Sequence, residues 1–141
     1  MTDPIDRLCV EQMADALIYI DRHGVIRQWN AAAEALFGHR RGQAIGRHVD
    51  LIIPENLRAA HAAGFERAME RGAGRLNGQA AMTKALTADG GVIYVEMSFA
   101  VVCGGDGKAL GSVAIARDAS RRRQQERELR ELRERLEGGA G

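Results

Sequence analysis

The chain has 141 residues, of which 45% are hydrophobic and 28% charged, as is typical of a single globular domain. Its 20 Lys and Arg residues against 19 Asp and Glu residues give a formal net charge of +1, without the basic excess of most nucleic-acid-binding proteins. No apolar run approaches the roughly 20 residues of a membrane span, and the acidic start is unlike a signal peptide. We therefore expect a cytoplasmic protein with neither a nucleic-acid nor a membrane partner.

The composition also restricts the core and the metal chemistry. Aromatic residues make up only 4% of the chain, whereas 17 residues are glycine. Small side chains must therefore fill the core or leave room in it for something else. The two cysteines, Cys9 and Cys103, have no CxxC or Cys/His partner nearby, so neither a zinc site nor a disulfide framework is predicted.

The N-terminal part predicts a helix followed by a β-hairpin. From Ile5, apolar residues recur at i+3, i+4 and i+8, which indicates an amphipathic helix within residues 1–14. Two apolar runs, residues 16–20 and 25–29, then flank an Asp-x-x-Gly turn. Two short apolar runs around such a turn are typical of a hairpin.

Helical patterns follow the hairpin. Asn30 is an N-cap residue and Gly38 a C-cap residue for a helix between them. Short helical turns are predicted from residue 41 to 53, and a longer helix from Glu55 to Arg71. One stripe of that longer helix carries residues spaced four apart: Leu57, His61, Phe65 and Met69.

The second half changes to a period of two. Strands are predicted over residues 75–87, 93–101 and 109–116, with Gly-rich turns between them. Together with the hairpin they predict an α+β domain: a five-stranded antiparallel sheet with helices packed on one face. The domain is expected over residues 15–118.

Residues 119–137 are mostly Arg, Glu and Gln, and predict a C-terminal helix. Its apolar residues, Leu129, Leu132 and Leu136, form a narrow seam with alternating three- and four-residue spacing. One interpretation is a single exposed helix; the other is a coiled coil in a homodimer. The dimer is favoured because a lone helix of this composition is only marginally stable in water.

Several motifs, taken together, resemble the PAS domain family over roughly residues 10–120. The resemblance implies a PAS fold and a sensory or dimerisation module, not an enzyme, whose output passes through a C-terminal helix to an effector protein or domain. The motifs are Asp21-x-x-Gly24, Ile26-x-x-Trp29-Asn30, Ala32-Ala33-Glu34-x-Leu36-Phe37-Gly38, Ile45-Gly46, Ile53-Pro54-Glu55, Asp89-Gly90 and the ending Arg117-Asp118-Ala119-Ser120.

The run from Ile53 to His61 resembles a narrower group, the haem-binding gas-sensor PAS domains of the FixL and Dos types. The resemblance implies that His61 is the proximal ligand of a b-type haem iron. It also implies contacts from two arginines to the haem propionates and a pocket wall of apolar residues. The arginines are Arg67 and Arg75, and the wall residues are Leu76, Met97 and Phe99.

The chain departs from that group on the distal side of the haem. The distal Arg of the FixL type falls on Ala81, and the distal Met of the Dos type falls on Gln79. The oxygen-stabilising donor is therefore missing, although Gln79 could donate a hydrogen bond and Met82 or Met97 could reach the iron.

Other functions are weaker alternatives. His61 on an apolar stripe is also compatible with an ordinary core histidine. Flavin photochemistry of the light-oxygen-voltage type needs a Cys in a Gly-Arg-Asn-Cys motif, whereas this chain has Gly46-Arg47-His48-Val49. Non-covalent FAD is a weaker possibility than haem. The main rival is a PAS module without haem that dimerises or binds a small organic ligand.

Overall fold

A computed structural model describes residues 4–72 and 80–139 of the chain. The N-terminal part comprises α1 (Ile5–Gln12), β1 (Ala16–Asp21), β2 (Ile26–Trp29), α2 (Ala31–Phe37), α3 (Arg41–Ala44), two 3₁₀ helices (Val49–Ile52 and Glu55–Leu57) and α4 (Arg58–Arg71). The C-terminal part comprises β3 (Ala81–Leu86), β4 (Val92–Cys103), β5 (Ala109–Asp118) and α5 (Ser120–Gly138).

The five strands form one antiparallel sheet in the order β2-β1-β5-β4-β3. The α+β prediction of a five-stranded antiparallel sheet with helices is thus confirmed. The C-terminal strand β5 lies in the centre, where it pairs with β1 on one side and β4 on the other. We call the side of the sheet that carries Ile18, Met97 and Ala114 the inner face, and the side that carries Tyr94 and Glu96 the outer face.

Some predicted boundaries were wrong. The predicted helix from Glu55 begins as a 3₁₀ helix and becomes α-helical only at Arg58, whose Nε donates a hydrogen bond to the Ile53 carbonyl (3.0 Å). The predicted strand over residues 75–87 begins, within the described residues, at Ala81. Thr87 belongs to the following turn, since its N–H donates to the Gly91 carbonyl (2.9 Å). Residues 75–79 lie outside the described residues.

The predicted caps of α2 are present. Asn30 Oδ1 accepts a hydrogen bond from the Ala33 N–H (3.0 Å), and Gly38 ends the helix with a φ of 83°. The same Asn30 oxygen accepts from the Leu17 N–H (2.9 Å), while its Nδ2 donates to the carbonyls of Val10 (2.8 Å) and Asp15 (3.1 Å). One side chain therefore ties the end of α1, the start of β1 and α2 together.

The densest part of the core lies where the β1–β2 hairpin meets α2. Trp29 and Phe37 are fully buried there with ring centres 5.4 Å apart, and Trp29 Nε1 donates to the His39 carbonyl (2.9 Å). Val95 continues the core toward β4. By contrast, no residue of α4 is fully buried, and its Phe65 is only partly buried where it packs against the core.

Among the described residues, no helix combines the length and the apolar character needed to cross a membrane.

A close approach of two strands makes a glycine necessary at Gly111. A Cβ there would collide with the Ile20 carbonyl oxygen and lie 2.7 Å from Tyr19 Oη. We expect Gly111→Ala to lower the free energy of unfolding by about 1–3 kcal/mol through overpacking. The matched control is Gly105→Ala, whose Cβ would meet nothing within 4 Å. Equal urea midpoints for the two variants would contradict the prediction.

Candidate functional site

A cavity of about 470 Å³ lies between α4 and the inner face of the sheet. This size is within the roughly 300–1,000 Å³ typical of small-molecule and cofactor sites. Helix α4 and the turn before it contribute Leu57, Ala60, His61, Gly64, Phe65 and Ala68. The sheet contributes residues that include Ile18, Ile20, Ala81, Thr83, Ala85, Met97, Phe99, Ser112 and Ala114.

The cavity exists because small residues face each other across it. On α4, Ala60, Gly64 and Ala68 are spaced four apart and line the cavity from above. On the central strand β5, Ser112 and Ala114 line it from below. Since these positions carry only small side chains, a space remains between the helix and the sheet. The small-residue composition of the chain thus leaves room beside the core.

His61 is the titratable side chain that α4 places in the cavity wall. It is half-buried, and its ring lies parallel to that of Phe65, with planes 4° apart and centres 6.4 Å apart. Burial lowers the pKa of the His61 imidazole below its ordinary value of 6.5; the Asp50 charge opposes this shift and His48 adds to it. The imidazole is therefore neutral at pH 7, which is the form that binds metals.

Within the part of the chain that the structure describes, His61 does not belong to a cluster of metal-ligating side chains. Within residues 4–72 and 80–139, no group of three or more His, Cys, Asp or Glu side chains is placed to hold a metal ion. The same residues provide no hydrogen-bond partner for the His61 ring nitrogens at direct distance. A porphyrin supplies four ligands of its own, so a haem iron needs only one or two ligands from the protein.

The structure brings three of the six predicted site residues together. His61 lies on α4, and Met97 and Phe99 lie opposite on β4, with Met97 buried and Phe99 half-buried. Arg67 is exposed on α4 and takes no part in the wall formed by the described residues. Arg75 and Leu76 lie outside the described residues, as does Gln79.

The cavity wall includes Ala81, the position of the distal Arg in the FixL type. It also includes two polar residues that the sequence analysis did not single out. Ala81 pairs with Met97 across β3 and β4, and both line the cavity; Met82, the next residue, does not. Thr83 and Ser112 add hydroxyl groups to the wall, which also includes His61 and Lys84 and is otherwise apolar. Strand alternation places Thr83 on the same face as Ala81, and this was the signal available to find it.

Comparison with known proteins agrees with this architecture. The family model described as PAS fold matches residues 10–124. The chain belongs to the PAS family. It is a PAS sensory domain of the kind used in signal transduction, and such domains are generally not catalytic.

Two relatives of this PAS domain are sensor proteins. The oxygen sensor protein DosP of Escherichia coli (strain K12) is 30% identical over 123 residues, which are 87% of this chain and 15% of that protein. The sensor protein FixL of Bradyrhizobium diazoefficiens is 42% identical over 55 residues, which are 39% of this chain and 11% of that protein. The chain thus spans a small part of the length of either relative.

A solved structure supports the PAS fold independently. The PAS domain of a protein from Colwellia psychrerythraea superposes with a TM-score of 0.73 at 23% sequence identity, over 83% of this chain and 96% of that one. At this identity the likeness concerns the fold alone.

The lowered pKa of His61 predicts a pH dependence of stability. Between the folded-state pKa and 6.5, the unfolded chain binds a proton at His61 that the folded chain does not. Stability should therefore fall as the pH falls below 6.5, and His61→Gln should remove part of this loss. The control is His23→Gln, at an exposed turn residue.

Urea unfolding of the ligand-free protein at about pH 7.5 and about pH 5.5 measures this effect. If His61→Gln loses as much stability on acidification as the His23→Gln control, the burial of a neutral His61 is contradicted.

Proposed function

We propose that this PAS domain binds one b-type haem in the cavity, with His61 as the protein ligand of the iron, and senses a diatomic gas or the redox state. The observation that carries the proposal is a neutral imidazole in the wall of an apolar cavity of about 470 Å³, with no other metal-binding cluster among the described residues. The resemblance around His61 to the FixL and Dos types supports it. Haem iron supplies gas binding and one-electron redox chemistry.

Other residues would complete the site. Met97 and Phe99 would contact the haem from β4, and Leu76 would also contact it. Arg67 and Arg75 would pair with the propionates, since arginines bind carboxylates well at the edge of an apolar pocket. Ala81 faces the cavity without a hydrogen-bond donor, so oxygen is not assigned as the sensed gas. On the same face of β3, the hydrogen-bond donor next to Ala81 is the Thr83 hydroxyl.

Strand β4 offers a route from the cavity to the C-terminal helix. Its inner face carries Met97 in the cavity wall, and its outer face carries Glu96, which forms an ion pair with Arg122 of α5 (2.9 Å). The Ala119 N–H also donates to the Tyr94 carbonyl (2.8 Å). A shift of β4 would therefore move α5. We propose that α5 relays this shift, in a homodimer, to an effector protein or domain, and that the chain itself is not an enzyme.

The almost entirely apolar wall favours one alternative occupant, a small organic ligand. In that case His61 is a wall residue without a metal, and the domain acts as a ligand-binding or dimerisation module. The two proposals predict different colours for the purified protein, since only haem gives it a Soret absorption band.

Replacing His61 tests its proposed role as the iron ligand. We expect His61→Ala to lose haem binding in a haemin titration followed at the Soret band, while far-UV circular dichroism stays unchanged because the cavity is built by the sheet and α4. The matched control is His23→Ala, which removes an exposed histidine from the turn between β1 and β2.

The control should bind haem like the wild type, at about one haem per chain. A His61→Ala protein that keeps the wild-type Soret band and affinity would overturn the assignment of His61.

A further inference from the structure

The start of helix α4 is poorly stabilised by the helix itself. Its N-cap residue, Leu57, provides no side-chain hydrogen bond to the first turn, and that turn carries no acidic residue. It begins instead with Arg58, whose positive charge is unfavourable at the positive end of the helix dipole. Since no residue of α4 is fully buried either, the first turn depends on contacts outside the helix.

The Arg58 side chain makes such a contact. Its Nε donates a hydrogen bond to the Ile53 carbonyl (3.0 Å), and its Nη2 donates to the Asp50 carbonyl (3.3 Å). The Ile53 carbonyl is available because the Leu57 N–H donates to the Pro54 carbonyl instead (2.9 Å). A guanidinium group suits this place, since its donors lie in one rigid plane and can bridge two carbonyls at once.

The two carbonyls belong to a segment of the cavity wall that the sheet holds in place. The Val49 N–H donates to the Gly24 carbonyl (2.9 Å) in the turn between β1 and β2. Residues 49–53 line the cavity through Val49, Ile52 and Ile53. Arg58 therefore joins a wall segment that is anchored to the hairpin with the first turn of α4.

This connection bears on His61, which follows Arg58 by three residues, or about 4.5 Å along the helix axis. A displacement of the first turn would move the His61 imidazole relative to residues 49–53. We propose that Arg58 is a positioning residue for His61: its guanidinium fixes the first turn of α4 to residues 49–53 and so sets where the imidazole lies in the cavity wall. The proposal rests on the proposed function only in making His61 the functional residue of the cavity.

Chemical modification of the histidines in the ligand-free protein tests the proposal. Diethyl pyrocarbonate acylates neutral imidazoles that solvent reaches, and mass spectrometry of the peptides gives a rate for each histidine. At about pH 7.5 we expect Arg58→Ala to raise the rate at His61 severalfold, because release of the first turn exposes a half-buried neutral ring. The rate at His39 should stay unchanged, since that half-buried ring packs against Trp29 with ring centres 6.3 Å apart.

Two further variants complete this test. The matched control is Arg71→Ala, which removes an exposed arginine from the last turn of the same helix and should leave the His61 rate at the wild-type value. Arg58→Lys keeps the charge but loses the planar pair of donors, so it should also raise the His61 rate, and it replaces Arg58→Ala if that variant does not fold. An unchanged His61 rate in the folded Arg58 variants, or an equal rise at His61 and His39, would overturn the proposal.

A haemin titration separates the role of Arg58 from the haem proposal. If the wild type binds haem, Arg58→Ala should weaken the binding by about 10–100-fold, as loss of a group that orients a metal ligand usually does. Wild-type haemin affinity in Arg58→Ala would contradict the positioning role. A wild-type protein that stays free of haem refutes the haem site alone, because the modification rates at His61 are measured without haem.

Discussion

The buried amide of Asn30 is the interaction on which the arrangement of the N-terminal half depends. Its oxygen accepts from β1 and from the first turn of α2, and its nitrogen donates to the carbonyls of Val10 and Asp15. A buried amide left without these partners would be costly, so the hairpin and α2 are held in one arrangement. With that corner of the domain closed by Trp29 and Phe37, α4 lies over the rest of the inner face together with the 3₁₀ helix Val49–Ile52, which also lines the cavity.

The covering of the inner face by α4 is incomplete, and this connects the fold with the function. Alanine and glycine on the helix meet alanine and serine on β5, so apolar surface stays open to a cavity instead of being packed. Protein interiors are normally filled to the density of organic crystals, and a cavity of this size costs stability unless a ligand occupies it. Binding of a ligand by the folded state would offset this cost.

The sequence predicted the fold well where the signal was local. The hairpin turn, the Asn30 and Gly38 caps and the alternation along β4 each depend on neighbouring residues, and the structure confirms them. The predicted start of the long helix at Glu55 was three residues early, because residues Glu55–Leu57 form a 3₁₀ turn that the Arg58 side chain closes by donating to the Ile53 carbonyl. For the cavity, the resemblance to haem-binding PAS domains predicted Met97 and Phe99 as wall residues, and both line the cavity. Thr83 and Ser112 were missed because strand alternation groups residues by face but does not reveal which parts of that face line a cavity.

The central claim is that the cavity is a haem site. The most direct measurement is the absorption spectrum of the purified wild-type protein together with its haem content, after expression with sufficient iron and after a haemin titration of any ligand-free fraction. The account predicts a Soret band and about one haem per chain, as a single histidine-ligated site requires. A colourless protein that stays free of haem after the titration would contradict it.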